Sequence, residues 1–318
     1  MTRPAATAFA AVLLGALLAP AAPATAKKKP PAAIVLPAPP VVSLAAALPL
    51  IDAAIAENRL DDARSLLART TASNDTPGSA AELRLRSAEI ALAEAGLAAA
   101  ATGFTELTAD PQVGARASQG LGIVRLRQNR LPDAIAALDA ALAADPGLLR
   151  ATLARGVAAD RTGDWPRADA AWARALELAP QSAIARNNRG WSLLLRARHG
   201  DAEADFAAAV TLDPKLGAAR TNLIFTRALQ GKYREAFALS DKTTLAGDLN
   251  TVGFGAMARG DKEVAQTYFE RAMQKNPRFD RTAWANLQYL FAATRSAGDA
   301  LAASADDDPT RPALPRRP

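Results

Sequence analysis

No cysteine occurs anywhere in the 318 residues. That excludes disulfides, thiol nucleophiles, thiolate metal sites and a lipid anchor on an amino-terminal cysteine. Histidine is almost as scarce: His199 stands alone, in the turn sequence Arg198-His-Gly-Asp201. One imidazole without clustered carboxylates is a poor start for a metal site, where three or four ligands must converge. The run Asp306-Asp307-Asp308 sits in a proline-rich tail and lacks the fixed geometry that a selective cation site needs. There is no phosphate-cradling glycine loop and no nucleophile elbow. Gly120/Gly122 and Gly253/Gly255 are Gly-x-Gly pairs inside helical pattern with no strand before them. These absences predict a protein that is not an enzyme and that takes no cofactor or metal.

Long apolar runs are missing too. Phe9–Ala19 is of signal-peptide length, too short to cross a bilayer comfortably. Arg3 is the one charge before Lys27, Ala24-Thr25-Ala26 supplies small residues for a signal peptidase, and Lys27-Lys28-Lys29 follows. Residues 1–26 are therefore expected to be a cleaved signal peptide, retention as an anchor being the alternative. The expected compartment is the periplasm or outside, with no stable membrane span after cleavage. Prolines at 30, 31, 37, 39 and 40 make 27–43 a stiff Lys/Pro-rich linker, and 303–318 reads as a disordered tail.

The formal net charge of +6 says little about partners. Arg3 and the three lysines at 27–29 carry four of those charges, and 306–318 balances three acids with three arginines. The body is left near +2, so no basic face for nucleic acid is expected.

What the sequence does have is a period. Pro146, Pro180 and Pro214 follow one another at intervals of 34 residues. Ala134, Ala168 and Ala202 stand twelve residues before each proline, and Ala141, Ala175 and Ala209 five before it. Gly122, Gly156 and Gly190 keep the same interval. A short helix pair cannot bury its own apolar face, so a fixed period of this length implies stacked helix pairs. Alanines let crossing helices approach, Leu138, Trp172 and Phe206 fill the wider gap between them, and proline ends each unit.

These residues resemble the tetratricopeptide repeat (TPR) family, whose pattern is an early glycine, two alanines and a terminal proline over two antiparallel helices. The resemblance implies an all-α right-handed superhelix (α-solenoid) of about six TPR helix pairs plus a C-terminal capping helix. Gly253, Ala265, Phe269, Ala272 and Pro277 continue the pattern, whereas Ala236 to Ala265 spans only 29 residues. The unit opened by residues 217–240 has therefore lost about a turn of its second half, which predicts an irregular stretch at Thr243–Asn250. Upstream, Ala100, Phe104 and Pro111 fit loosely, and Asn58–Ala63 reads as the turn of a more degenerate unit. The array is expected over 44–302: firm at 115–279, degenerate at 44–114, and capped at 280–297 by Trp284, Leu287, Tyr289 and Leu290. Trp165 and Trp172 read as packing residues, and Met257 and Met273 as filler.

In TPR proteins the first helix of each pair lines a concave groove, and the resemblance implies the same here. Asn188 and Asn222 fall eight residues after successive prolines, and Asn286 takes the corresponding place with one residue added. Trp191 and Phe225 lie one turn further on, Phe254 matches them in the next unit, and Asn187, Thr221 and Asn250 add polar groups nearby. An asparagine offers a donor and an acceptor, so it can pair with the peptide groups of an extended chain whatever its sequence. Aromatic faces beside it add apolar area at low entropic cost. Bracing of neighbouring helices is the other role such asparagines can have. Arg116 and Arg150, two residues into successive units, would make a charged groove end. The expected partner is a protein, bound through an extended peptide segment; nothing in the pattern sets an oligomeric state. An exported, proline-tethered array looks like the TPR proteins of Flp-type (tight-adherence) pilus systems. That implies a periplasmic adaptor for an envelope machine, pilus or secretin biogenesis among them. The alternative is a recruiting or regulatory subunit for an envelope polysaccharide or peptidoglycan enzyme.

Overall fold

The computed structural model describes residues 43–73, 77–275 and 280–292. The expectations for the signal segment, the linker through residue 42 and the tail beyond 292 lie outside the described residues. Every regular element among them is helical, and the chain divides into two compact units, one ending at Ser192 and one beginning at Leu193.

The first unit is built of successive helix pairs. These are α1 (Leu44–Ala56) with α2 (Leu60–Ser73), α3 (Pro77–Ala93) with α4 (Leu97–Thr105), α5 (Gly114–Arg127) with α6 (Leu131–Ala144), and α7 (Leu149–Thr162) with α8 (Trp165–Leu178). First helices also lie against one another, α1 on α3, α3 on α5 and α5 on α7. Helix α9 (Ala183–Leu195) carries the chain across the boundary. The second unit continues with α10 (His199–Leu212), α11 (Gly217–Leu229), a one-turn stub α12 (Tyr233–Ala236), α13 (Leu245–Arg259), α14 (Lys262–Lys275) and α15 (281–292). There α10 packs on α11, α11 on α13 and α13 on α14.

The alanine lattice does what the spacing implied. Ala134, Ala141, Ala168, Ala175, Ala202, Ala209, Ala265 and Ala272 are fully buried, as are Leu138, Phe206 and Phe269. Trp172 lies across α7, where a Cβ at Gly156 would stand 2.7 Å from its ring. Enclosing a ring of that size is worth roughly 4–6 kcal/mol at about 25 cal/mol per Å². Its indole N–H donates to Asp160 Oδ2 at 3.2 Å, so the buried polar atom is satisfied. Three pairs end with the residue before proline turned out of the helical region: Asp145, Ala179 and Asp213 all have φ near −140°. Proline's ring disfavours the helical region there.

The period also appears where residue type conceals it. The hairpin turns place one residue in the left-handed region at Ala95, Asn129, Gly163, Ala197 and Gly231, always 34 apart. Asn58 and Gly260 take the same place in the outer pairs, at intervals of 37 and 29. The two degenerate amino-terminal units are thus complete helix pairs. Arg127 and Arg161 repeat as well. Each donates from Nη1 to a carbonyl near the end of the preceding first helix, Leu92 O at 2.8 Å and Leu126 O at 2.9 Å, where a cation suits the helix dipole.

Two expectations are corrected. The irregular stretch lies earlier than Thr243–Asn250: α12 is one turn long, a 3₁₀ turn follows at Phe237–Leu239, and α13 is already helical from Leu245. The missing turn does come from the second helix of that pair, as the 29-residue interval implied. Helix α15 covers the last pair through Ala283, Leu287 and Leu290, which pack with Leu249, Ala272, Ala256, Ala265 and Phe269. Trp284 and Tyr289, expected to share that task, are 47% and 54% exposed. The burying residues follow the i, i+4, i+7 phase of one helix face, and Trp284 and Tyr289 are off it.

Candidate functional site

The first helices carry the candidate residues, and the two units treat them differently. In the first unit, Asn187, Asn188 and Trp191 lie within two turns of α9, with only 7%, 2% and 9% of their surface exposed. Asn187 Nδ2 donates to Asn188 Oδ1 at 3.1 Å. Asn188 Nδ2 and Trp191 Nε1 are buried donors with no acceptor among the described residues. A buried donor left unmatched costs about 1–3 kcal/mol, so this turn holds polar capacity that the fold leaves unused.

Arg116 and Arg150 sit near the starts of α5 and α7, and both point their charge at α3. Arg116 pairs with Glu82, and Arg150 reaches back past α5 to Glu89 at 2.9 Å. Glu82 also pairs with Arg86, which is nearly buried and forks onto Asp52 of α1 at 2.7 and 2.9 Å. Burial works to raise the Glu82 carboxyl, but Arg116 and Arg86 outweigh it and hold its pKa below the ordinary range. Three arginines thus face three carboxylates, and these first helices are tied together by matched charge. Sequence reading missed the acids although the signal was available: Glu82 and Arg116 are 34 residues apart, and so are Asp52 and Arg86.

In the second unit the candidates form a more open cluster. Asn222 and Phe225 on α11 are buried, whereas Thr221, Asn250, Phe254 and Asn286 are each half-exposed. Asn286 Nδ2 on α15 donates to Asn250 Oδ1 on α13 at 3.0 Å. The Phe225 and Phe254 rings stack at 5.7 Å between centroids, tilted by 36°. Three consecutive first helices therefore present a linked pair of amides beside an aromatic pair. The bond uses one donor and one acceptor, leaving Asn250 Nδ2 and Asn286 Oδ1, a donor and an acceptor together.

This face is held in place by a clamp at the shortened pair. Arg220 on α11 donates to both carboxylate oxygens of the buried Asp248, to Thr244 Oγ1 at 2.9 Å and to Leu239 O at 3.0 and 3.2 Å. One guanidinium thereby fastens the irregular segment and the first turn of α13 to α11. On the α10 side, Glu203 accepts from Arg227 at 2.9 Å, Gln230 at 2.9 Å and Lys232 at 2.6 Å. Among the described residues, no helix is long and apolar enough to cross a membrane.

A family model described as "Tetratricopeptide repeat" matches residues 85–148 and 153–216. No curated protein matches the chain. Among solved structures, a tetratricopeptide repeat protein from Parabacteroides merdae ATCC 43184 is similar over 78% of this chain and 98% of its own, at 16% identity and a TM-score of 0.50. The Cut9–Hcn1 hetero-tetramer of the APC/C is similar over 66% of this chain and 42% of that one, at 18% identity and a TM-score of 0.50. PilW, a type IV pilus biogenesis factor, is similar over 63% of this chain and 96% of its own, at 21% identity and a TM-score of 0.44. Likenesses at these identities concern the fold alone.

Proposed function

Because the chain is a tetratricopeptide-repeat protein, whose fold serves protein–protein interaction, we propose that it is a non-catalytic adaptor holding an extended segment of a partner protein across the first-helix face of its second unit. The observation that carries the reading is the Asn250–Asn286 amide pair beside the stacked Phe225 and Phe254. An extended chain laid along α11, α13 and α15 would pair a peptide carbonyl with Asn250 Nδ2 and a peptide N–H with Asn286 Oδ1. Phe254 would take an apolar side chain. Thr221 adds a hydroxyl at one edge, and Asn222 stands as the buried support beneath it. Asn187, Asn188 and Trp191 belong to the corresponding face of the first unit. Arg116 and Arg150 serve chiefly to hold its first helices in register.

The adaptor works in the periplasm, in this reading, tethered by the Lys/Pro segment after cleavage behind Ala26. Its partner is a component of an envelope machine such as a Flp-type pilus or its secretin. Support comes from the apolar run Phe9–Ala19, the small residues before Lys27 and the proline-rich spacer.

The test is crosslinked capture from the native periplasm with the tagged chain beside an Asn250→Ala/Phe254→Ala version. Pilus or secretin components captured by the first and lost by the second support the reading. An envelope synthase or hydrolase captured equally by both replaces it with the recruiting role and moves the binding surface elsewhere. Amino-terminal sequencing of the periplasmic fraction checks the compartment, with Lys27 as the expected first residue.

A further inference from the structure

We propose a second docking site, in the cleft where α6, α7 and α8 meet, for a partner segment that carries a carboxylate next to an apolar side chain. The cleft has a volume of about 280 Å³. That is room for one or two side chains, just under the lower end of the usual range for small-molecule pockets. Leu142 of α6, Thr152 and Arg155 of α7 and Arg167, Ala170, Ala171 and Arg174 of α8 line it, with Pro146 between α6 and α7. Two adjacent alanines on α8 leave a gap that the fold fills with nothing of its own. No carboxylate lines it, so the lining carries three positive charges over an apolar base.

The arginines are not equivalent. Arg167 is committed to Asp164, which caps α8 by accepting from the Arg167 backbone N–H at 3.2 Å and from its Nη1 at 2.6 Å. Arg174 pairs with Glu177 at 3.1 Å in a solvated contact one turn along the same helix. Arg155 is only 13% exposed and gives its Nε–H to Asp139, itself 55% exposed, at 2.6 Å. That bond leaves the terminal nitrogens of Arg155 as the fork available to a ligand. An exposed pair such as Arg174–Glu177 contributes about 0–1 kcal/mol, so an incoming carboxylate can displace Glu177 at little cost, and Asp139, itself largely exposed, can turn to solvent. A carboxylate bridging Arg155 and Arg174 would gain the charge-assisted, forked geometry that guanidinium offers. The apolar neighbour on the ligand would then rest on Leu142, Ala170 and Ala171. Because this cleft belongs to the first unit, it could be occupied while the first-helix face of the second unit holds a different segment.

The experiment uses the full chain and four acetylated, amidated pentapeptides of sequence Ser-X-Z-Ala-Ser, with X as Glu or Gln and Z as Leu or Ser. Binding is followed through the methyl resonances of Leu142, Ala170 and Ala171, with inorganic phosphate as a further titrant. The Glu-Leu peptide should shift those methyls and bind about tenfold or more tightly than either single replacement, the size expected for one charge-assisted contact. Arg155→Gln should erase the preference for Glu over Gln. Arg174→Gln, at an exposed position, should reduce it with no loss of ellipticity at 222 nm. Asn250→Ala/Phe254→Ala should leave it unchanged, which separates this site from the proposed peptide face. No binding by the Glu-Leu peptide, equal binding of Glu and Gln forms, shifts confined to other residues, or indifference to both arginine variants would each overturn the proposal. Phosphate binding as tightly as the peptide would overturn it as well, reducing the cleft to an anion patch.

Discussion

Alanine introduced at three glycines of a single helix should give three different results. Helix α13 carries Gly247, Gly253 and Gly255. In an unobstructed helix interior the change to alanine stabilises by about 1 kcal/mol, through the entropy of the unfolded chain. At Gly247 a new Cβ meets nothing within 4 Å, so the gain should appear, reduced to about 0.5 kcal/mol because the position is in the first turn. At Gly253 the Cβ would lie 2.8 Å from two ring carbons of Phe269 and 3.2 Å from Ala265 O. Ordinary contact begins at 3.4 Å, so the ring must withdraw by about 0.6 Å, and Phe269 is fully buried. Overpacking of that degree costs about 1–3 kcal/mol, and after the propensity gain a loss of roughly 0–2 kcal/mol remains. At Gly255 the Cβ would collide with Ala228 Cβ on α11 and stand 3.2 Å from Phe225 O. No rotamer relieves that clash, so the two backbones must part, and a loss of about 2 kcal/mol or more is expected. Urea unfolding at 222 nm gives the order of midpoints, and hydrogen exchange of α11 and α13 localises the effect if the units unfold separately. Gly255→Ala should also disturb the Phe225–Phe254 stacking and weaken peptide binding, which Gly247→Ala should not. A Gly255→Ala protein as stable as the parent, or a Gly247→Ala protein less stable, would refute the reasoning that close approach decides these positions.

Arg220→Met should cost about 3 kcal/mol by leaving Asp248 buried and unpaired, and adding Asp248→Leu should recover part of it; urea midpoints of the two variants check both signs. Thr226 is fully buried and its hydroxyl has no partner among the described residues, so Thr226→Val should stabilise by about 1 kcal/mol, visible as a higher Tm. Ala95 holds φ at 60°, where a Cβ is strained, and Ala95→Gly should gain about 0.5–1 kcal/mol; a lower Tm would count against strain there. Burial first, and the hydrogen bond to the Asp261 carboxylate second, push the Tyr233 hydroxyl up to about 12. Since that lies above the unfolded value of about 10, its contribution is whole below pH 10 and lost as pH rises toward 12. Tyr233→Phe should therefore flatten the fall of Tm across that alkaline window.

The stacking period was open to reading because packing repeats in kind. α6, α8, α10 and α14 each offer alanine at the same two crossings, whereas the second crossing falls on Thr70 in α2 and on Leu107 after α4. The turn between the helices makes an equally regular demand, a left-handed backbone, but Ala95, Asn129, Gly163, Ala197 and Gly231 meet it with three residue types. A requirement on φ leaves a weaker trace than one on volume, and for that reason the complete pairs before residue 114 looked degenerate. The 29-residue interval between Ala236 and Ala265 told that the second half of that unit had lost about a turn, but it set the irregular stretch a few residues too late. The stub α12 and the Arg220 clamp place that stretch before Leu245, since the first helix α13 had to stay whole to pack on α11 and α14.

The candidate face was legible by position and not by exposure. Equivalent spacing placed Asn188, Asn222 and Asn286 together, but enclosure depends on what covers each side chain, and only the fold sets Asn188 at 2% exposed while Asn250 and Asn286 stay half-exposed. The Gly-x-Gly pairs show the same boundary from the other side. Residues two apart on a helix point about 200° away from each other, so two such glycines admit neighbours on opposite flanks. Gly120 admits Phe104 of α4 while Gly122 admits Leu138 of α6; Gly253 admits Phe269 of α14 while Gly255 admits Ala228 of α11. A motif with no phosphate to bind is therefore a packing device: it draws a first helix close to the unit before it and to its own partner at once. On α13 that device brackets Phe254, so the closeness of α11 and α13 that brings Phe225 and Phe254 to 5.7 Å is set by the residues on either side of the ring.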